Sequence, residues 1–436
     1  MKILIKNADI VTMNPKMEIL RNSYIGIQED IISFVGDKMD ESFEPDQVID
    51  ASNRIVMPGL VNSHTHSPMV MFRNFASDLP LHSWMYDNIR PLQQFVTDEE
   101  VKTACSLALI EMIKSGTTCF VEMYNWTDIL FEVVSDFGMR ANMGGSYSTV
   151  LKNGFSERVD DIRRHFRQWN GADGGLLRES LVLHSLYGES EKDIRSAIEL
   201  AHELDAPIQI HVAETVREME EICERYHDTP IGVLEHMGMF SCKTVMAHMV
   251  HLEEEDFAIC RQHRDTVTGV YCPSSNMKLA SGFAPASRMI REGICLALGT
   301  DGAASNNTLN MFHEMYLASV LQKGYLQDAS CMGAGTVLHM ATVNGSKAAG
   351  FDDLCGSIEA GKKADLILVS VDEPHMCPVY DHCAALVYAA QGSDVETVIV
   401  NGKILMQDRE VKVADEEKIK WAARAVSDRI LPRFRG

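Results

Sequence analysis

Residues 58–69 read "PGLVNSHTHSPM" and place two histidines, His64 and His66, one residue apart at the end of an apolar run. On an extended strand, residues i and i+2 project from the same face. Two imidazoles on one side, at the polar end of a buried strand, can hold one ion between them. Two ordinary loop histidines would give the same pattern, so the rest of the chain has to decide between these interpretations.

The composition limits the class of protein. The 436 residues are enough for one large α/β domain and a smaller one. Apolar residues make up 46% and charged residues 23%, the balance of a soluble globular protein. With a formal net charge of −22, the chain lacks the net positive charge that favours binding to nucleic acid or to an anionic membrane. We therefore expect a small-molecule substrate, with no nucleic-acid or membrane partner, and a homo-oligomer stays open.

Cysteine usage and the start of the chain indicate a cytoplasmic location. Lys6, Asn7 and Asp9 interrupt the first apolar run, so it lacks a signal-peptide core, and no apolar run approaches 18 residues. The 11 cysteines form no CxxC pair and stand in apolar surroundings. We therefore expect free, buried thiols in a reducing compartment.

The pattern of apolar residues divides the chain into three stretches. Short alternating strands fill the first stretch and return after about residue 358, before an amphipathic helix over 416–430. Between them, eight apolar segments alternate with helices. We predict an α/β fold, a (β/α)8 TIM-type barrel over 58–357, with a small β-sandwich built from residues 1–57 and 358–436. A doubly wound open sheet is the alternative, although no glycine-rich phosphate loop follows the first strand.

One helix is predicted with both of its ends. In "TDEEVKTACSLALIEMIKSG", Thr97 can cap the helix with Glu100 three residues on, which is a capping box. An apolar stripe then runs from Val101 to Ile113, and Gly116 ends the helix.

Polar residues follow the predicted barrel strands, where function sits in folds of this kind. They are His64 and His66 on strand 1, His184 on strand 4, His211 and Glu214 on strand 5, His248 and His251 on strand 6, and Asp301 on strand 8. Singly, each has an ordinary explanation, such as a core histidine or a helix cap. Together, imidazoles and a carboxylate from different strands suit zinc or a similar divalent ion, which lowers the pKa of bound water to about 7.

Four motifs carry a resemblance to a known family. In order, "PGLVNSHTH", "IHVAE", "AHMVH" and "LGTDGAASNN" resemble the amidohydrolase superfamily, and more narrowly the 5-methylthioadenosine/S-adenosylhomocysteine deaminase family. The resemblance implies that the metal ligands are His64, His66, His211 and Asp301. It also implies that His248 orients or polarises the attacked centre. Glu214 would carry a proton to the ring nitrogen, and Asp301 would accept the proton of the attacking water.

The resemblance also implies how many metal ions are present. The binuclear branch of the superfamily has a bridging lysine on strand 4, and here that strand reads "LVLHSLYG". We therefore expect one divalent ion per subunit. Zinc is the first expectation, and Fe²⁺ or Mn²⁺ stay open because three histidines and an aspartate accept several ions.

The substrate-binding positions are carried by weaker resemblance. Trp84 resembles a tryptophan near the ribose, His184 a histidine beside the substrate, and Arg158 an arginine that holds an amino-acid carboxylate. A core tryptophan and a solvated helix face are the alternatives for Trp84 and Arg158. The chain departs from adenosine-type members at Gln93, where an acid often grips the ribose, and at Tyr271, where a histidine is frequent. An amide can still bind hydroxyls, without a charge-assisted bond.

The predicted function is metal-dependent hydrolytic deamination of an adenosine-like compound, with release of ammonia. The candidates are 5-methylthioadenosine, S-adenosylhomocysteine, adenosine and 5′-deoxyadenosine. An aminohydrolase or chlorohydrolase of another N-heterocycle, such as guanine, a pterin or a triazine, is the alternative within the enzyme class. A non-catalytic barrel kept for binding is the alternative outside it, and it would be expected to lose one of the six site positions.

Overall fold

The computed structural model describes residues 1–145 and 154–435. The strands are β1 (Lys2–Val11), β2 (Ile19–Gln28), β3 (Ile31–Gly36), β4 (Gln47–Asp50), β5 (Arg54–Pro58), β6 (Leu60–Thr65), β7 (Thr117–Met123), β8 (Arg140–Gly144), β9 (Leu177–Glu179), β10 (Leu181–Ser185), β11 (Ile208–Val212), β12 (Thr244–His248), β13 (Val267–Tyr271), β14 (Cys295–Leu298), β15 (Leu366–Ser370), β16 (Val395–Val400), β17 (Lys403–Gln407) and β18 (Glu410–Val411).

The helices are α1 (Arg90–Gln93), α2 (Asp98–Lys114), α3 (Thr127–Phe137), α4 (Val159–Trp169), α5 (Ala172–Gly175), α6 (Glu191–Leu204), α7 (Val216–Tyr226), α8 (Pro230–His236), α9 (Glu254–Gln262), α10 (Pro273–Lys278), α11 (Ala286–Arg291), α12 (Met311–Leu326), α13 (Ala334–Ala341), α14 (Val343–Ala348), α15 (His382–Ala384) and α16 (Glu416–Arg435). A π-helical segment, Ser83–Ile89, leads into α1. The chain is therefore an α/β protein.

Strands from both ends of the chain join one sheet. Its order is β18-β17-β16-β15-β5-β1-β2-β3, and β4 pairs with β1. The junction is the antiparallel pair of β5 and β15, in which Ile55 lies opposite Val369. Apolar side chains such as Ile3, Ile5 and Leu368 form a core on this sheet. Strands of both chain ends thus share one sheet, and the β-sandwich unit built from residues 1–57 and 358–436 stays a prediction.

The central strands form two parallel sheets whose order follows the chain. One runs β6-β7-β8-β9 and the other β10-β11-β12-β13-β14. The single residue Ser180 separates β9 from β10. At the other side, Thr65 and Asp301 form a parallel bridge, and the Asp301 amide donates to the His64 carbonyl at 2.9 Å. This order lacks the reversal expected of a doubly wound sheet among the described strands, and it brings the end of β6 beside the end of β14.

The apolar run that leads to His64 and His66 changes sheet at Gly59. Before this residue β5 belongs to the end sheet, and after it β6 belongs to the central strands. A Cβ at Gly59 would lie 2.0 Å from the Thr118 hydroxyl oxygen. Only glycine leaves room for the Thr118 side chain against this backbone, and the sheet changes there.

The capping box of α2 is confirmed, with Thr97 and Glu100 bonded reciprocally. The apolar stripe that follows it is buried. All eleven cysteines are free, as predicted, but the expectation that they are buried is wrong for Cys223 and Cys377, which are exposed on the surface. Within the described residues, no helix has the length and apolar character needed to cross a membrane.

Candidate active site

Three imidazoles and one carboxylate meet where the parallel strands end. His211 Nε2 lies 3.2 Å from His64 Nε2 and 3.4 Å from His66 Nε2. The Oδ1 atom of Asp301 lies 3.2 Å from His66 Nε2 and 3.7 Å from His64 Nε2. Four atoms at about 2.0–2.1 Å from a zinc ion in tetrahedral geometry would lie about 3.3 Å apart. These donor atoms therefore have the spacing of one metal site.

The hydrogen bonds of the rings fix which nitrogen is free to bind a cation. His66 Nδ1 lies 2.5 Å from the Met123 carbonyl oxygen, and His211 Nδ1 lies 2.6 Å from the His184 carbonyl oxygen. A carbonyl only accepts, so each Nδ1 carries the proton and each Nε2 presents a lone pair to the centre. In the neutral rings these lone pairs face each other and repel, and a cation at the centre relieves this repulsion. The residues present thus fit a divalent metal ion.

Asp301 is held by donors on its other side. Ser275 Oγ donates to Oδ2 at 2.5 Å and Ser305 Oγ donates to the same oxygen at 2.8 Å. The Gly302 amide donates to Oδ1 at 2.7 Å. These three bonds stabilise the charged carboxylate and fix its orientation toward the histidines.

A second acid, Glu214, and a fourth histidine, His248, lie beside the four donors. Glu214, two residues past β11, has its Oε2 atom 3.9 Å from His248 Nε2, and its Oε1 atom accepts from Ser281 Oγ at 3.3 Å. His248 Nδ1 lies 2.9 Å from Asn276 Oδ1, which fixes the ring and leaves Nε2 facing Glu214. Burial raises the pKa of Glu214 above its usual value, although the nearby His248 opposes the change. This carboxyl can therefore hold a proton to higher pH than an ordinary glutamate.

Three residues at these strand ends have left-handed backbone conformations, which are uncommon outside glycine. The φ angle is +52° at Ala213, +77° at His248 and +61° at Asp301. Non-glycine residues in this region store backbone strain, and such strain clusters at functional sites. Here it accompanies the turns that bring the side chains of Glu214, His248 and Asp301 to one place.

A cavity of about 400 Å³ opens onto the donor atoms. Its wall includes His66, His211, Glu214, His248 and Asp301. This volume is that of a small-molecule site, and the titratable groups converge at its floor.

The structure brings some of the predicted substrate residues to this cavity. Trp84, only 3% exposed, and His184 both line it. Burial, followed by the charge of Arg90, lowers the pKa of His184 to about 3, so its ring is neutral.

Other predicted positions lie elsewhere. Gln93 Nε2 donates to the Tyr124 hydroxyl at 2.9 Å, and Arg158 Nε lies 3.8 Å from Asp161. Neither is among the described residues that line the cavity, and neither is the buried Tyr271.

Sequence reasoning missed the residues that hold the site in place. Ser275 and Asn276 come from the segment "CPSSNMK" at the start of α10, and Ser305 comes from "LGTDGAASNN". Both segments follow strand ends and contain clustered small polar residues, which is the signal that was available. Arg90 and Glu218, which line the cavity, lie on helices whose orientation the sequence pattern leaves open.

Comparison with known proteins defines the class. The model of the amidohydrolase family matches residues 55–405, and the chain belongs to this family. It is therefore an enzyme of the metal-dependent hydrolase type that the fold and the donor atoms indicate.

Individual relatives narrow the comparison. The chain is 43% identical to a 5-methylthioadenosine/S-adenosylhomocysteine deaminase of Acetivibrio thermocellus, over 99% of this chain and 100% of that protein. It is 39% identical to a 5′-deoxyadenosine deaminase of Methanosarcina acetivorans, over 99% of each. Among solved structures, an adenosine deaminase from Xanthomonas campestris with bound zinc superimposes with a TM-score of 0.94 at 33% identity, covering 99% of this chain and 98% of that one.

Proposed function

We propose that this chain is a hydrolytic deaminase that removes ammonia from an adenosine-like compound. The candidate substrates are 5-methylthioadenosine, S-adenosylhomocysteine, adenosine and 5′-deoxyadenosine. The observation that carries the proposal is the position of the Glu214–His248 pair beside four metal-spaced donor atoms in one cavity. The relatives named above, all deaminases of adenosine compounds, support the substrate class.

The proposed metal ligands are His64, His66, His211 and Asp301, and we propose one zinc ion per subunit. The bound ion supplies a Lewis acid that makes hydroxide available near neutral pH. Fe²⁺ and Mn²⁺ also suit imidazole and carboxylate donors, so metal analysis has to separate them. Strand β10, which together with β9 makes up the fourth strand of the proposed barrel, carries no lysine that could bridge a second ion.

The remaining steps are assigned to residues of the chain. Asp301 accepts the proton that the attacking water loses. Glu214, whose pKa is raised by burial, gives a proton to the ring nitrogen next to the attacked carbon. His248, oriented by Asn276, stabilises the negative charge that develops at the attacked centre. The amino group then receives the proton that Asp301 took from water and leaves as ammonia when the C–N bond breaks, and the new C–OH returns a proton to Glu214 as the carbonyl forms.

We propose three contacts between residues of the cavity and the substrate. Trp84 packs against the ribose, and the neutral His184 hydrogen-bonds the substrate. Glu214 contacts the ring nitrogen. Gln93 and Arg158, proposed from the family resemblance to bind the ribose and an amino-acid carboxylate, require testing because neither lines the cavity among the described residues.

Arg90 offers a second way to bind an anionic tail. It lines the cavity, its guanidinium carbon lies 4.3 Å from the centre of the Tyr86 ring, and its charge contributes to the lowered pKa of His184. A guanidinium stacked on an aromatic ring is pre-organised for a carboxylate. We propose that Arg90 binds the amino-acid carboxylate of an S-adenosylhomocysteine-like substrate.

The arrangement of the parallel strands supports a proposal about the fold. We infer a closed (β/α)8 barrel over 58–357, because the two parallel sheets meet at Ser180 and at the bridge of Thr65 with Asp301. The two ends, 1–57 and 358–436, form the companion β-sandwich unit. A cytoplasmic location is supported by the eleven free thiols.

Ammonia release by zinc-loaded protein tests the function. The panel holds methylthioadenosine, S-adenosylhomocysteine, adenosine, 5′-deoxyadenosine, guanine, cytosine and a triazine. Turnover confined to the adenosine compounds is expected. Turnover of guanine or the triazine alone would overturn the substrate class and leave the metal chemistry standing.

A further inference from the structure

Glu218 is a buried acid that the proposed mechanism does not use. It lies in the first turn of α7 and is 3% exposed. Its Oε1 atom accepts from the Ala213 amide at 2.9 Å, and its Oε2 atom accepts from the Glu214 amide at 2.8 Å. Both oxygens of this carboxylate thus bind the peptide that carries the proposed proton donor.

The peptide at Ala213 and Glu214 has an unfavourable conformation that needs such contacts. Ala213 has a φ of +52°, which costs an L-residue energy. On the opposite side of this turn, the Ala213 carbonyl accepts from the Val250 and His251 amides at 2.9 Å each. The turn is therefore fixed from both sides, by the end of β12 and by Glu218.

Ordinary helix capping does not account for these bonds. The start of α7 is already capped by the Thr215 hydroxyl, which accepts from the Glu218 amide at 3.1 Å. In a capping box, the acid at the third helical position would bind the amide of the cap residue itself. Glu218 instead reaches past Thr215 to the two preceding amides, the second of which belongs to Glu214.

We propose that Glu218 is the positioning residue of Glu214, holding its backbone so that its side chain points into the cavity at the reacting ring. The inference rests on the proposed function, since it assigns Glu218 a role only through proton transfer by Glu214. A carboxylate accepts both amides, whereas the Glu218→Gln side chain would place an NH₂ group against one of them. The expected result of that change is a displaced Glu214 side chain with the metal donors unchanged.

The test is a double-mutant cycle of Glu214→Gln and Glu218→Gln. For each variant, kcat, KM and zinc content are measured. Alone, Glu218→Gln should lower kcat roughly 10- to 100-fold, as small misplacements of reacting groups do, with KM and zinc content near wild type. Glu218→Asp keeps the charge and should recover part of the loss. Glu220→Gln removes an exposed charge from the same helix and should leave turnover unchanged.

The cycle separates a positioning role from a purely structural one. If Glu218 acts through Glu214, the double variant should be no slower than Glu214→Gln alone. A double variant slowed by the full product of the two single effects would overturn the positioning role and leave the proposed function intact. Full turnover of Glu214→Gln would overturn both. If Glu218→Gln does not fold, the same cycle with Glu218→Asp gives the answer.

Discussion

The Nε2 atoms of His66 and His211 lie 3.4 Å apart, although each ring carries its proton on the Nδ1 atom that faces a backbone carbonyl. Two lone pairs therefore face each other inside the protein. The carbonyls of Met123 and His184 set this protonation. Met123 lies on β7, the neighbour of β6, and His184 lies on β10, the neighbour of β11. The fold itself thus prepares the two rings for a cation.

This relationship predicts that metal stabilises the fold. Chelation should lower the thermal midpoint of unfolding, and zinc should restore it. At free zinc 100 times Kd, the free energy of unfolding should rise by about 2.7 kcal/mol. The measurement is thermal unfolding with and without zinc. The His66→Ala/His211→Ala double variant is the control, and a zinc shift that survives in it would place the metal elsewhere.

Glu214→Gln removes the proposed proton donor while keeping its size. Burial raises the pKa of Glu214, so the native carboxyl keeps its proton to higher pH than an ordinary glutamate does. The variant should lose roughly 10²–10⁴-fold in kcat, the usual contribution of general acid–base catalysis. Zinc content should not change. Steady-state kinetics with methylthioadenosine measures the loss, and an active variant with normal metal content would refute the assigned role.

Arg90 and Arg158 can be compared as anchors for a substrate carboxylate. Arg90→Gln should lower kcat/KM for S-adenosylhomocysteine by roughly tenfold or more, a loss typical of a charge-assisted hydrogen bond. The value for methylthioadenosine, which has no carboxylate, should change little. Arg158→Gln is the matched variant. A selective loss in Arg158→Gln but not in Arg90→Gln would assign the carboxylate to Arg158.

Glu314 should make stability depend on pH. Burial raises its pKa from 4.5 to about 7, despite hydrogen bonds from Ser274 and Asn306. Between these values the folded chain keeps a proton that the unfolded chain has lost. This group's contribution to stability is therefore present below pH 4.5 and declines as the pH rises toward 7.

The matching measurement is thermal unfolding from pH 4.5 to 8. As the pH rises across this range, the wild type should lose stability relative to Glu314→Gln. Glu220→Gln, which is exposed, should track the wild type at every pH. A constant difference between wild type and Glu314→Gln would show that Glu314 has an ordinary pKa.

Gly59→Ala tests the junction of the two sheets. The added Cβ would lie 2.0 Å from the Thr118 side chain, so the strands must move apart. Overpacking of this kind costs about 1–3 kcal/mol. At Gly36, an added Cβ meets nothing within 4 Å, and Gly36→Ala should have little effect. Equal stability of the two variants in denaturant unfolding would contradict the close packing at Gly59.

Much of the site could be predicted from the sequence, because a polar residue at the carboxyl end of an apolar segment lies at or just past the end of the strand that the segment forms. His64, His211 and Asp301 follow this rule, and parallel strands bring such ends together. The sequence pattern places the boundary of the first unit at residue 58, next to Gly59, but the approach of Thr118 that requires glycine there could not be predicted, since Thr118 lies far away along the chain.

The supporting residues depend on tertiary geometry that has no local pattern. Ser275 reaches Asp301 from the first turn of α10, and Glu218 reaches back across a left-handed turn. Gln93 follows the π-helical segment, and its side chain bonds to Tyr124. The spacing of residues along the sequence does not show in which direction these side chains point.

Zinc titration into metal-free protein, followed by ammonia release from methylthioadenosine, tests the central claim most directly. The four proposed ligands have the spacing of one ion site, so activity should rise linearly and reach its plateau at one equivalent of zinc per chain. A plateau at two equivalents would contradict the single site. Full activity before any zinc is added would contradict the metal-dependent deamination proposed for this chain.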